Sequence, residues 1–199
     1  VQIDGYLDEE VWSKAVTIKG FSNFLPVDGG MARDDASIYM WYGDDAIYFG
    51  VIAQAKKDEI RSTLADRDKL ESDDYFLFIL DTYNDQRTAY AFAVNPIGQQ
   101  YDGTITDRVP DRRAAMPFSI DKNPDYVFDS KGRITDEGFV IEIKIPLKSL
   151  RFSSNEVQTW GFNVLRRVQH SRYWTSVIPL KLGEASFLAQ NGKLKNITN

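Results

Sequence analysis

The chain has 199 residues and a formal net charge of −5, and 43% of its residues are hydrophobic. This is sufficient for one well-cored domain over residues 1–199, and because the first residue is valine we expect a piece excised from a longer protein. The acidic charge gives no basic footprint for nucleic acid, and no apolar run approaches the roughly 20 residues of a transmembrane helix. The absence of cysteine excludes disulfides, thiol catalysis and thiolate metal sites.

The N-terminal segment predicts a turn followed by a short helix. The Asp4-Gly5 pair favours a tight turn, because glycine tolerates positive φ and aspartate can hydrogen-bond its own backbone. Asp8 can cap a helix with an acidic first turn. Trp12 would then lie on the inner face of that helix and anchor it to a core.

Strand-like runs follow. Residues 37–42 and 46–52 flank a Gly-Asp-Asp turn and predict a hairpin. Residues 75–80 are apolar on both faces, which predicts a central strand covered on both sides. Small and large residues alternate over 89–95, so that three alanines should face away from the larger side chains.

The second half continues the pattern. Residues 139–145 predict a strand that Pro146 ends, followed by a helical turn over 147–150. Residues 160–168 and 173–178 predict two late strands, 104–123 a long loop, and 58–69 a short helix or a loop. Many short strands with few helices predict an all-β fold, an antiparallel β-sandwich with one or two short helical turns.

The order of these motifs resembles a known family. The opening stretch 3–12, the acidic and hydrophobic run 73–81 and the segments 92–95, 139–152 and 160–164 are similar to carbohydrate-binding module family 9. The match is closer to the subgroup found N-terminal to bacterial outer-membrane β-barrel proteins. Its characteristic motifs here are Arg67-Asp68, Leu80-Asp81-Thr82, Asn95-Pro96-Ile97-Gly98, Ile145-Pro146-Leu147, Trp160-Gly161 and Ser186-Phe187-Leu188.

This resemblance implies a β-sandwich that binds carbohydrate without catalysis. It also implies an extracytoplasmic location, in the periplasm or outer membrane of a Gram-negative bacterium. Sugar-binding members carry polar side chains on the strands corresponding to 75–80 and 89–95, where this chain has Leu77 and Ala93. Because neither side chain can hydrogen-bond a hydroxyl, the alternative is an interaction domain that packs on its own downstream outer-membrane barrel and binds no sugar.

A sugar site needs aromatic rings for the CH face of the sugar and polar groups for its hydroxyls. If the late strands pair, polar side chains could line one sheet face opposite the core, above a depression left by the three alanines. That face would carry Glu142, Lys144, Asn163 and Arg167, with Tyr39, Trp41, Trp174 and Phe187 as rims. Arg67, in a charged cluster with Asp68, Asp73 and Asp74, predicts a ligand-contacting loop or a solvated face. The candidate carbohydrate-binding residues are Trp41, Arg67, Glu142, Asn163, Arg167 and Trp174.

Oxygen-rich turns at strand ends suit calcium, which takes six to eight oxygen ligands. The resemblance also implies structural calcium, since family members often carry it. The candidate ligands are Asp44, Asp45, Asp81, Asn84 and Asp85. Ordinary turns rich in aspartate and asparagine are the alternative.

The sequence contains few of the residue combinations that form catalytic sites. His170 is the only histidine, which excludes most Ser-His-Asp triads and histidine-cluster zinc sites. No spacing distinguishes a carboxylate pair for glycoside hydrolysis, so we expect no enzyme. Haem or small-molecule binding remains a second alternative, with His170, Met31, Met40 and Met116 as the available axial ligands. A basic patch at Arg108, Arg112 and Arg113 could meet lipid headgroups or another domain, or form a solvated loop.

Overall fold

The computed structural model describes residues 1–64, 67–106 and 118–198. Strands make up 46% and helices 6% of the structure. The helix α1 and the strands β1 to β13 follow in chain order as α1 Glu10–Lys14, β1 Val16–Ile18, β2 Ser22–Leu25, β3 Ala36–Tyr42, β4 Ala46–Gln54, β5 Tyr75–Asp81, β6 Thr88–Val94, β7 Gln100–Thr106, β8 Ser119–Asp121, β9 Asp129–Ile134, β10 Gly138–Pro146, β11 Val157–Val168, β12 Tyr173–Ser176 and β13 Gly192–Thr198. Single 3₁₀ turns lie at Leu147–Ser149 and Leu188–Gln190.

The strands form two antiparallel sheets. A five-stranded sheet has the order β1-β3-β4-β10-β9. An eight-stranded sheet has the order β2-β12-β11-β5-β6-β7-β8, and β13 pairs with β11 beside this path. The predicted β-sandwich is therefore confirmed, as are the β3–β4 hairpin and the helical turn after Pro146.

Large apolar side chains from both sheets fill the space between them. The Phe49 ring of β4 lies 4.7 Å from the Phe78 ring of β5 and 6.0 Å from the Phe162 ring of β11. Strand β5 lies between β11 and β6 and is buried on both faces, as its apolar run predicted. The alternation in β6 directs Tyr90 and Phe92 into this core.

Each sheet also carries an apolar layer on its outer face. The N-terminal segment and α1 cover the five-stranded sheet, where Trp12 packs with Tyr48. Gly50 of β4 allows this close approach, because a Cβ there would lie 2.7 Å from a methyl carbon of Leu7. The outer face of the eight-stranded sheet is covered by a second cluster that includes Phe187 and Leu188. The three alanines of β6 are buried in this cluster, so they do not form the expected open depression.

Several local predictions were wrong. Glu9, not Asp8, is the N-cap of α1, and its carboxylate accepts the Trp12 indole N–H at 2.9 Å instead of capping the backbone. The expected loop over 104–123 contains the end of β7 and the whole of β8, because Ile105 and Ile120 pair across the two strands. For the segment 58–69, by contrast, the loop alternative holds in its described residues, which form neither helix nor strand.

Two further findings concern membrane spans and the residues that the structure does not describe. Among the described residues, no helix has the length and apolar character needed to cross a bilayer. Met116 and the basic patch at Arg108, Arg112 and Arg113 lie outside the described residues.

Candidate functional site

A cavity of about 280 Å³ lies on the outer face of the eight-stranded sheet. Three rings from three strands line it, namely Tyr75 of β5, Tyr101 of β7 and Trp174 of β12. Strand register explains their positions. Trp174 stands opposite Arg167 of β11, and Arg167 stands opposite Tyr75. In the next outward-facing row Leu77 of β5 stands opposite Ala93, which stands opposite Tyr101.

The aromatic wall is held in a fixed arrangement. The Tyr75 and Trp174 rings meet edge to face with centroids 5.4 Å apart. The Arg167 guanidinium lies 5.6 Å from the Trp174 ring and donates to the Arg172 carbonyl at 2.6 Å. Burial disfavours the charged form of both side chains, so it lowers the pKa of Arg167 and raises the pKa of the Tyr75 hydroxyl. The sequence prediction thus found one ring of this wall and the arginine behind it.

Two charged side chains border the cavity. Glu71 accepts a hydrogen bond from the Lys122 ammonium at 2.7 Å, and this contact holds the pKa of Glu71 below its ordinary value. The Lys122 nitrogen also lies 4.9 Å from the centroid of the Tyr101 ring. Burial, with a contribution from the Glu71 carboxylate, raises the pKa of Tyr101 to about 12. The Tyr101 phenol is therefore protonated at neutral pH and can donate a hydrogen bond.

Buried carboxylates hold the loop that carries Glu71 in place through hydrogen bonds. Asp73 accepts hydrogen bonds from the Thr63 backbone N–H at 3.0 Å and the Asn95 amide at 2.8 Å. Asp74 accepts the backbone N–H of Gln169 at 2.6 Å, and burial raises its pKa. The Gln169 amide donates to the Glu71 carbonyl at 2.7 Å. These two aspartates are thus buried supports of the loop, and they form neither a ligand-contacting surface nor a solvated face.

Asn163 and Arg67 were predicted site residues that the structure places elsewhere. Asn163 is fully buried on β11, where its side chain accepts the Ile178 backbone N–H at 3.1 Å and donates to the Ile178 carbonyl at 3.3 Å. Arg67 donates to Asp102 at 2.6 Å and to the Tyr126 carbonyl at 2.6 Å. Neither side chain lines the cavity.

Trp41 and Glu142 lie on the other sheet. Trp41 of β3 packs beside Tyr48 with ring centroids 5.2 Å apart. Glu142 is fully buried and accepts the backbone N–H groups of Asp4 at 2.9 Å and Gly5 at 2.7 Å. The expected shared face is therefore wrong. Strand β10, with Glu142 and Lys144, pairs with β4 and β9, whereas β11, with Asn163 and Arg167, pairs with β5, β12 and β13.

The sequence analysis missed Glu71, Tyr75, Tyr101 and Lys122. A signal for Tyr75 was available, because it lies two residues before Leu77 on a predicted strand and therefore shares its face. Lys122 fell in the segment taken for a loop, and Tyr101 fell in a run that was not assigned to a strand. Of the other rim candidates, Phe187 is buried, and its ring lies 4.4 Å from that of Phe118.

The predicted calcium ligands lie in two turns. Asp44 and Asp45 are in the β3–β4 turn, where the Asp45 carboxylate lies 3.1 Å from the Lys144 ammonium. Asp81 is buried and accepts the backbone N–H groups of Asp85 and Gln86, and Asn84 accepts a hydrogen bond from Lys193. Among the described residues, no group of three His, Cys, Asp or Glu side chains could hold a metal ion. Calcium therefore stays a prediction.

The described residues that the haem alternative requires are His170, Met31 and Met40, and they lie in different surroundings. His170 lies at a turn with its Nε2 atom 3.6 Å from Glu59. Met31 is 81% exposed, and Met40 packs against the inner core.

Solved structures share this fold. A family 9 carbohydrate-binding module from Caldicellulosiruptor kristjanssonii in complex with cellotriose is 13% identical, with a TM-score of 0.64 over 98% of this chain and 88% of that chain. A family 9 carbohydrate-binding module from the same organism in complex with glucose is also 13% identical. Its TM-score is 0.64, over 100% of this chain and 92% of that chain. A candidate carbohydrate-binding protein from Bacteroides uniformis is 14% identical, with a TM-score of 0.65 over 92% and 87%. No protein-family profile matches the chain. No curated protein matches it either.

Proposed function

We propose that the chain is a non-catalytic carbohydrate-binding module and that the cavity on the eight-stranded sheet is its sugar site. The observation that carries this proposal is the convergence of Tyr75, Tyr101 and Trp174 on one cavity beside the Glu71–Lys122 pair. Aromatic rings suit the CH face of a sugar, whereas the carboxylate, the ammonium and the phenols suit its hydroxyls. The shared fold with modules solved in complex with cellotriose and glucose supports the same function.

The size of the cavity favours a single sugar ring. Its volume of about 280 Å³ is just below the roughly 300–1,000 Å³ of small-molecule sites. A few contacts are sufficient for weak recognition, because a millimolar dissociation constant corresponds to only about 4 kcal/mol. The module would therefore bind a terminal or short saccharide weakly.

The proposal extends to the context of the domain. The motifs shared with the subgroup that precedes outer-membrane barrels support an extracytoplasmic location, beside such a barrel in the same protein. The apolar lining of the cavity, with Leu77 among its residues, favours a second candidate function, in which this domain binds another part of its own protein instead of a sugar.

Titration of the purified domain with mono- and oligosaccharides, followed by isothermal calorimetry and tryptophan fluorescence, tests the proposal. We expect Tyr101→Ala and Lys122→Ala each to weaken binding at least tenfold, since both side chains line the cavity. The matched control is Tyr83→Ala, which removes an exposed tyrosine from the β5–β6 turn and should leave affinity unchanged.

Two outcomes would contradict the proposal. If no sugar binds at tens of millimolar, roughly ten times a weak dissociation constant, the interaction-domain function replaces it. If sugar binds but only Trp41→Ala weakens binding, the site lies on the five-stranded sheet and the cavity is not involved.

A further inference from the structure

The chemistry of the cavity is unevenly distributed. Leu70, Leu77, Phe118 and Ile120 contribute apolar side chains to its lining. Leu77 is only 1% exposed and Leu70 only 2% exposed, so these two form its deep part. The charged groups, by contrast, are solvent-exposed, with 68% of the Glu71 side chain and 46% of the Lys122 side chain accessible. The cavity therefore has an apolar interior and a polar border.

Hydrogen-bonding side chains are absent from the apolar part of this lining. The lining side chains that can hydrogen-bond are Glu71 and Lys122, which are already paired with each other, and those of Tyr75, Tyr101 and Trp174, whereas the side chains of Leu70, Leu77, Phe118 and Ile120 offer no donor or acceptor. A sugar hydroxyl placed against Leu77 would give up its bonds to water without gaining a partner, which is unfavourable. A methyl group in the same position would lose nothing and would bury apolar surface.

We propose that the preferred ligand is a saccharide unit whose inserted end is a methyl group and not a group that ends in a free hydroxyl. This inference rests on the proposed sugar site. Two classes of sugar supply that chemistry, namely 6-deoxyhexoses and acetylated sugars. In both, the remaining ring hydroxyls would stay at the border, within reach of Glu71, Lys122 and the Tyr101 phenol.

Sugar pairs that differ at the methyl-bearing position test the proposal. L-fucose against L-galactose and L-rhamnose against L-mannose each compare a methyl with a hydroxymethyl group, and N-acetylglucosamine against glucose tests the acetyl class. Because an apolar pocket discriminates by up to about 10²-fold against an analogue that adds a hydroxyl, we expect at least one methyl-bearing sugar to bind ten times more tightly than its partner. The pair that shows the preference identifies the class. Equal or tighter binding of the hydroxylated partner in every pair overturns the inference.

Substitution of the cavity interior gives an independent readout. Leu77→Asn places an amide against the inserted group, and it should reduce the methyl preference at least fivefold. Leu77→Met keeps an apolar side chain of similar volume and should retain the preference. If Leu77→Asn does not fold, as judged by circular dichroism, Ile120→Thr takes its place, because Ile120 is only partly buried. A methyl preference that survives the polar substitution would overturn the inference that the apolar interior of the cavity sets it.

The failures of the two proposals are distinguishable. If sugars bind in a Tyr101-dependent manner but the hydroxylated partners are favoured, the cavity is the sugar site and only the methyl preference is wrong. If Tyr101→Ala leaves binding intact, or no sugar binds, the sugar site itself is wrong and this inference falls with it.

Discussion

The buried carboxylate of Glu142 gives a prediction that separates charge from hydrogen bonding. Its carboxylate accepts two backbone N–H groups of the N-terminal turn, and its second oxygen has no hydrogen-bond partner in the described part of the chain. Burial raises its pKa above the ordinary value of 4.5, and the nearby Glu9 and Asp4 carboxylates act in the same direction. Ionised Glu142 is therefore less favourable in the folded protein than in the unfolded chain.

The sign of the pH dependence follows. A carboxyl with a raised folded pKa binds its proton more tightly in the folded state, so its contribution to stability is complete below about pH 4.5 and is lost as pH rises through the folded pKa. Glu142→Gln cannot ionise. We therefore expect the free energy of unfolding of the native protein, minus that of Glu142→Gln, to fall as pH rises from 4 to 8.

Truncation measures the hydrogen bonds. Glu142→Ala leaves the N–H groups of Asp4 and Gly5 without their acceptor, and each unsatisfied buried group costs about 1–3 kcal/mol. We expect a loss of about 1–3 kcal/mol in urea denaturation at pH 7, because the Gly5 hydrogen bond is buried, whereas the Asp4 N–H belongs to an exposed residue and can be solvated. A loss below about 1 kcal/mol, or a native-minus-Gln difference that does not change with pH, would refute this account of Glu142.

Three further predictions concern the core, the metal and catalysis. Arg166 is 2% exposed and donates to the carbonyls of Asp34, Asp35 and Gln54 at 3.0–3.1 Å; Arg166→Met leaves these carbonyls without their donor and should cost about 2–5 kcal/mol in urea denaturation, and a change below about 1 kcal/mol would contradict this. If calcium binds only the folded state, a hundredfold excess over its dissociation constant should raise stability by about 2.7 kcal/mol, whereas melting curves that respond to neither calcium nor chelator would count against the site. The purified domain should not hydrolyse aryl glycosides or polysaccharides, and turnover abolished by one Asp or Glu substitution would show that it is an enzyme.

Sequence reasoning succeeded where a residue pattern is sufficient by itself. Strand β5 was predicted because an apolar run on both faces is stable only at the centre of a sheet. By contrast, β8, β9 and β13 are short or rich in polar residues, and their strand conformation depends on the partner strands that hydrogen-bond them. The residue pattern of a segment does not show whether a partner strand lies beside it. For this reason residues 104–123 were predicted to be a loop.

The same limit explains the mixed outcome at the candidate site. Trp174 was found by residue type, since a tryptophan late in a strand is a natural stacking surface. Tyr101 and Lys122 join it only because the register of β5, β6, β7 and β8 brings them to one face. For polar side chains the error was the reverse, because a residue predicted to bind ligand is buried. Glu142 looked like a ligand-binding group on an open face, but the N-terminal segment covers that face and uses the carboxylate as its acceptor.

The outer layers of the sandwich decide where a ligand can enter. On the five-stranded sheet, Trp12 and the N-terminal segment pack directly on the strands. On the eight-stranded sheet, Phe187 and Leu188 belong to an otherwise buried layer in which the rings of Tyr75 and Tyr101 remain partly exposed around the cavity. Because the cavity of the proposed sugar site is a gap in a covering layer and not part of the inter-sheet core, its partly exposed rings are not among the side chains that form that core. Substitution of Tyr101 should therefore change affinity much more than stability, whereas substitution of Phe49 or Phe78 should do the reverse.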